Sequence, residues 1–123
     1  MVFEAKIDGV LNFKKGISKE LFYSLEEKYI VSFGYEYEVY TYELEDSDCF
    51  TSRVVVRFGS SANYKGRTIT DNLKALTPYL DCDFLNELDF SSEDGDVWRL
   101  KLKDTTWYRI KGRIVFDGEP VAI

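Results

Sequence analysis

Between residues 97 and 116 a cation recurs at almost every second position. Arg99, Lys101 and Lys103 alternate with Trp98, Leu100 and Leu102, and Arg109, Lys111 and Arg113 alternate with Tyr108, Ile110 and Ile114. Successive strand side chains point to opposite faces, so a hairpin of this pattern would gather these cations on one face and an apolar set on the other. Trp107 shares the parity of Arg109, Lys111 and Arg113. Such a face could hold an anionic group or an acidic protein. Tyr40, Tyr42, Arg53 and Arg57 supply aromatic and guanidinium groups on a neighbouring hairpin, and Tyr, Trp and Arg dominate interface hot spots. The plainer alternative is a solvated face laced with ion pairs, each worth about 0.2–1 kcal/mol.

A second group is acidic. Glu36, Glu38, Glu43, Glu45, Asp46 and Asp48 cluster in sequence and could imitate nucleic-acid phosphates toward a basic enzyme. Catalytic signals are sparse. The chain has no histidine, which excludes Ser-His-Asp and Cys-His catalysis and removes the commonest transition-metal ligand. General acid–base work would fall to carboxylates, Lys, Tyr or a perturbed Cys, and nothing in the pattern points to an enzyme. Glu93-Asp94-Gly95-Asp96 offers oxygen ligands and a turn glycine without the spacing of an EF-hand loop. Asp46 with Asp48, and Asp81 with Asp83, read as turn residues. Gly34, Gly59 and Gly66 form no phosphate-binding pattern. No metal and no cofactor is expected. Cys49 falls in a turn, Cys82 reads as core, and two cysteines imply no disulfide framework.

The elements that must carry these residues fit one α+β domain over residues 1–123. Hydrophobic residues make up 45% of the chain, with nine Phe, nine Tyr and two Trp, enough to build a core without staples. A net charge of −6 argues against a protein whose task is gripping phosphate backbones. No apolar run reaches bilayer length and the start carries no signal-peptide pattern, so a cytoplasmic protein without membrane contact is expected.

Phe3, Ala5 and Ile7 alternate with Glu4, Lys6 and Asp8 as a first strand, with a bend or bulge at Gly9. Ser18 caps a helix whose face is Leu21, Phe22, Leu25 and Tyr29, and Ile17 staples onto Phe22. Residues 35–44 and 52–58 form a hairpin around Glu45-Asp46-Ser47-Asp48. Pairing Val39 with Val56 sets Glu38 opposite Arg57 and Tyr42 opposite Arg53. The segment Asn63-Tyr64-Lys65-Gly66 reads as loop, and Thr70 caps a second helix that stops near Thr77 ahead of Pro78. Residues 82–90 read as one strand that places Cys82, Phe84, Leu88 and Phe90 inward.

The order predicts an antiparallel sheet with two helices on one face, a ferredoxin-like β-α-β-β-α-β arrangement extended by a C-terminal β-hairpin. Matching Leu88 with Leu100 pairs Asp89 with Arg99 and Glu87 with Lys101. Matching Leu100 with Ile110 sets Arg99 beside Lys111 and Lys101 beside Arg109, a like-charge contact. Carboxylates of the first strand, Glu4 and Asp8, would relieve it from the far side of the last strand.

Glu93-Asp94-Gly95-Asp96-Val97-Trp98-Arg99, followed by Gly112-Arg113-Ile114-Val115-Phe116-Asp117-Gly118, resembles the C-terminal part of a family of small uncharacterised proteins of actinobacteria and their phages. Those carry a Gly-Asp-Leu-Trp-Arg element and a closing Ile-Val-Trp-Pro-Asp-Gly. The family tends to have a double proline before its first helix, where this chain has Lys14-Lys15-Gly16. The resemblance implies a phage or mobile-element origin and brings no activity with it.

The leading expectation is therefore a non-enzymatic binding protein that occludes a partner macromolecule. Its specific version is a phage-encoded, anti-CRISPR-like inhibitor of a bacterial defence system, its partner a host protein or complex. Direct nucleic-acid binding is not expected, and a homodimer is compatible with the pattern. The alternative is a binder of a small ligand, a nucleotide or other anion, held by Arg53, Arg57, Arg109 or Arg113 with Tyr40 or Trp107 stacking.

Overall fold

A computed structural model describes residues 4–41 and 53–112. Tyr42, Arg113, Cys49, Phe3 and the acidic positions Glu43, Glu45, Asp46 and Asp48 lie outside them. Strands β1 (Glu4–Asn12), β2 (Tyr37–Tyr40), β3 (Val55–Asn63), β4 (Glu87–Ser92), β5 (Val97–Lys103) and β6 (Thr106–Lys111) form one sheet in the order β2-β3-β1-β4-β5-β6. Every neighbouring pair is antiparallel. Helices α1 (Lys19–Leu25) and α2 (Gly66–Leu76) complete an α+β domain.

The period-two pattern of β1 works as written. Ala5, Ile7 and Leu11 are buried while Glu4, Lys6 and Asp8 are exposed. Val54, Val56 and Phe58 at and just before β3, Leu88 and Phe90 from β4, and Trp98, Leu100 and Leu102 from β5 join them in one core. The buried stripes of α1 and α2, Phe22 with Leu25 and Ile69 with Leu73 and Leu76, close that core from the same side. Rings lock it: Phe13 meets Phe22 edge-on at 5.1 Å, and Phe90 stacks on Trp98 at 5.3 Å and 7°.

The Ser18 hydroxyl accepts from the Leu21 N–H at 3.1 Å, as its capping role requires. Leu21 itself is exposed. The helical run continues past α1 through a widened turn, Glu26–Ile30, and a tight one, Val31–Phe33. Asn72 of α2 donates its side-chain N–H to the Tyr29 carbonyl there, tying the two helices together.

Besides the exposed Leu21, and Asn63 and Gly66, which end β3 and open α2 rather than lie in a loop, five expectations are corrected by the structure. β1 passes Gly9 without a bulge, in unbroken register with both β3 and β4. A Cβ there would stand 2.2 Å from the Glu87 carbonyl oxygen and 2.7 Å from Leu88 Cα, so the glycine serves close approach of β4. α2 starts at Gly66, behind Lys65, so Thr70 lies inside the helix and its hydroxyl donates to the Gly66 carbonyl. Residues 82–86 are not strand: Cys82, Phe84 and Leu85 are exposed.

Asn86, 1% exposed, holds that segment as a loop. Its side chain accepts from the Asn12 N–H at 2.6 Å and donates to the Asp81 and Phe84 carbonyls. The fourth correction is placement: β1 is central and β6 is an edge, so Glu4 and Asp8 do not flank the last strand.

The fifth concerns the final hairpin. Leu100 faces Arg109, Arg99 faces Ile110 and Lys101 faces Tyr108, one residue out from the expected register. The Lys103–Thr106 pair closes a two-residue turn, Asp104-Thr105, with Asp104 at φ 58°. The expected register would need a three-residue turn, and turn length fixes pairing in a hairpin.

Candidate functional site

That slip divides the cationic set. Directly opposed residues of an antiparallel pair share a face, so Arg99, Lys101 and Lys103 lie on the face away from the helices, with Tyr108 and Ile110 beside them. Trp107, Arg109 and Lys111 lie on the helix side with Trp98, Leu100 and Leu102. Arg99 and Lys111 are thus on opposite sides of the sheet, and the single basic surface expected from the sequence does not form. Tyr108 and Ile110, expected inside, are 51% and 47% exposed.

Trp107 has a physical reason to face α2. Its indole N–H reaches the Thr77 hydroxyl at 2.9 Å and the Leu73 carbonyl at 3.2 Å, adding a donor at the C-terminal end of the helix, where that carbonyl also accepts from the Thr77 N–H and hydroxyl. Further along that side, Arg109 lies 5.4 Å from the Trp98 ring centre. Tyr64, Asp96, Trp98, Arg109 and Lys111 line a groove of about 380 Å³.

The face away from the helices carries no described element, and strand register orders its side chains into rungs. One rung runs Glu38, Arg57, Val10, Glu87, Lys101, Tyr108 across all strands from β2 to β6. The next runs Gly59, Asp8, Asp89, Arg99, Ile110. Glu38 therefore does stand opposite Arg57, Asp89 opposite Arg99 and Glu87 opposite Lys101, as the sequence implied.

Arg99 grips Asp89 with two nitrogens, at 2.6 and 3.0 Å, and comes within 3.7 Å of Glu87. The hydrogen bonds to Asp89 raise the guanidinium pKa further. Asp8 directly opposes Asp89, so two carboxylates meet where like charges are unfavourable. Arg99 is committed to Asp89, while on its other side Asp8 neighbours Gly59 of β3.

On that side lies a hollow of about 620 Å³ lined by Asp8, Glu36, Tyr37, Glu38, Arg57, Phe58 and Gly59. Gly59 opens it, since no described residue lies within 4 Å of where its Cβ would be. Glu36 is fixed through its backbone, whose N–H donates to the Ser60 hydroxyl at 2.8 Å. The Tyr40 hydroxyl donates to the Glu38 carboxylate, which orients Glu38 and raises the Tyr40 pKa. A second hollow of about 460 Å³ adjoins it, with Lys6, Asp8, Asp89, Arg99 and Ile110 in its lining. Asp8 belongs to both.

Of the residues singled out in sequence, Glu36, Glu38 and Arg57 meet at one hollow, with Tyr40 beside Glu38. Arg53 stands apart, its guanidinium 3.3 Å from the Phe84 ring centre. Trp107, Arg109 and Lys111 belong to the opposite side. Sequence reasoning missed Asp8 and Gly59 as site residues; Gly59 had no signal beyond interrupting an alternating strand. Among the described residues no group of acidic or cysteine side chains is arranged to hold a metal ion, and no described helix is long and apolar enough to cross a membrane. In comparisons with known proteins the chain matches no family model, no curated protein and no solved structure.

Proposed function

We propose that the chain is a non-enzymatic binding protein that occludes a basic region of a partner macromolecule with the open face of its sheet. The observation that carries this reading is the hollow over Gly59, where Asp8, Glu36 and Glu38 supply three carboxylates against one cation, Arg57. A carboxylate cluster carried by β1 and by the start of β2, on either side of β3, presents negative charge at fixed spacing, and pre-set charge steers association with a positively charged partner. The exposed Tyr40 and Tyr108 add apolar area able to anchor such a contact.

The specific version is a phage-encoded inhibitor of a bacterial defence system acting in the host cytoplasm. Its support is the C-terminal resemblance together with the acidic face. The finer reading of the fold, ferredoxin-like with an added hairpin, is supported by the β2-β3-β1-β4 order of the first four strands. The test is a plating assay with affinity capture from a lysate of the host. Expression of the chain raises the plating efficiency of a phage the host restricts, and the chain captures a basic protein. The D8K/E36K/E38K variant, folded by circular dichroism, loses both effects. If capture and plating survive the triple reversal, the acidic-face reading is wrong.

The small-anion alternative is favoured by one observation, the groove that brings Arg109 and Lys111 beside Tyr64 and Trp98. A nucleotide that raises the melting temperature of the wild type but not of R109A/K111A is its signature.

A further inference from the structure

The two edges of the sheet are built differently. β2 is four residues long and carries Glu38 on the open face, the short, charged edge that discourages further pairing. β6 is six residues long, and the residues it shows on the open face, Thr106, Tyr108 and Ile110, carry no charge. Its cations, Arg109 and Lys111, both point to the helix side.

The main-chain groups of β6 can be assigned. The Gly112 N–H donates inward to the Val97 carbonyl. Direction alternates along an antiparallel strand, so Thr106, Tyr108 and Ile110 also bond toward β5. Trp107, Arg109 and Lys111 therefore aim their N–H and C=O groups at the free edge, where no described residue meets them.

We propose that β6 pairs with β6 of a second copy of this chain, antiparallel about a two-fold axis through Tyr108, to give one sheet continuous across both copies. Charge selects this register. An axis at Arg109 sets Arg109 against itself, and an axis at Ile110 sets Arg109 against Lys111, both like-charge pairs. An axis at Trp107 draws the Asp104-Thr105 turn into the ladder and shortens it. With the axis at Tyr108, Trp107 faces the partner's Arg109 and the reverse, a cation–π pairing made twice by symmetry.

In the same register Ile110 faces the partner's Thr106, and Lys111 reaches the partner's Asp104-Thr105 turn. Both Trp107–Arg109 pairs use outward-aimed main-chain groups, so each can exchange two hydrogen bonds. Tyr108 opposes Tyr108 as a non-hydrogen-bonded pair with Cα atoms about 4.5 Å apart, within disulfide reach.

The register is tested in a C49S/C82S background by oxidising T106C, Y108C and I110C variants and by sedimentation of the wild type. The expected result is a wild-type dimer with Y108C cross-linked to itself, while I110C and T106C link only when mixed with each other. R109P removes an N–H that the hairpin does not use, so it keeps the strand spectrum and sediments as a monomer; Y108E, which sets carboxylate on carboxylate, does the same. A wild type that stays monomeric at millimolar concentration overturns the proposal. So does a dimer that survives both R109P and Y108E, or self-linking of I110C equal to that of Y108C.

Discussion

A single methyl group at Gly9 would drive β1 and β4 apart. The two atoms it would strike, the Glu87 oxygen and Leu88 Cα, are both backbone and cannot rotate away. Gly9→Ala should lose about 3 kcal/mol or more of stability, beyond the usual overpacking range, measured by urea denaturation. Gly59→Ala, with open space around its Cβ, should be neutral or gain up to about 1 kcal/mol. Equal losses at the two positions would refute the close-approach account.

Tyr35 offers a second test at this scale. It is 4% exposed, its hydroxyl makes no hydrogen bond among the described residues, and burial, with the nearby Tyr64, raises its pKa to about 12. Tyr37 is raised to about 12 by burial and by its hydrogen bond to Glu26. A raised folded-state pKa means the native state holds its proton more tightly than the unfolded chain. That stability is intact below pH 10 and is lost as pH climbs from 10 toward 12. Raised from 10 to about 12, the Tyr35 hydroxyl accounts for about 2–3 kcal/mol of that pH-dependent stability. Tyr35→Phe, which also removes a buried unbonded hydroxyl, should be at least as stable as wild type at pH 8 and exceed it by a wider margin at pH 11.5 in denaturant melts. A variant that follows the wild-type pH curve would exclude Tyr35 as the source.

Among the elements, the last hairpin carries the main correction. Most of the strand residues were legible from alternation, though β3 runs on through residues 59–63, which were not read as strand, and the β4–β5 register was legible from Leu88, Asp89, Arg99 and Leu100. The β5–β6 register was not, because its two candidate registers differ by one turn residue and both bury some apolar side chains. What decided it is distant in sequence: the Trp107 indole meets α2 at Leu73 and Thr77. Trp107→Phe should keep the ring's packing and lose those hydrogen bonds, costing about 1–2 kcal/mol, with hydrogen-exchange protection falling first in β6. Uniform loss of protection across the sheet would contradict that local role.

The loop at residues 81–86 has the same character. Its alternation imitates a strand, and only Asn86, reaching Asn12, shows why it is not one. Asn86→Ala strands the Asn12 N–H and should cost about 2–3 kcal/mol by chemical denaturation. A loss below 0.5 kcal/mol would remove Asn86 from that role.

At the scale of the whole molecule, one side of the sheet is spent on the core and the other is left to charge. The open face mixes carboxylates and cations rung by rung, so its field is local, strongest where Asp8, Glu36 and Glu38 outnumber Arg57. Contacts driven by such exposed charge weaken with ionic strength. Partner capture through this face should therefore fall steeply between low salt and about 0.5 M, where the Debye length approaches a few ångströms. Salt-independent capture would place the contact on apolar area instead.

The sequence alone determined what depends on short periods: the α+β class, the helix cap at Ser18, the inward stripes of β1, β3, β4 and β5, and the Glu38–Arg57 and Asp89–Arg99 pairings. These follow because strand parity and helix period act over a few residues. Tertiary structure decided which side of the sheet each cation of β6 took, that β1 sits at the centre, and that Asp8 and Gly59 share a hollow with Glu36 and Glu38. Those outcomes depend on the two-residue turn, on an indole meeting a helix end, and on strands far apart in sequence lying side by side.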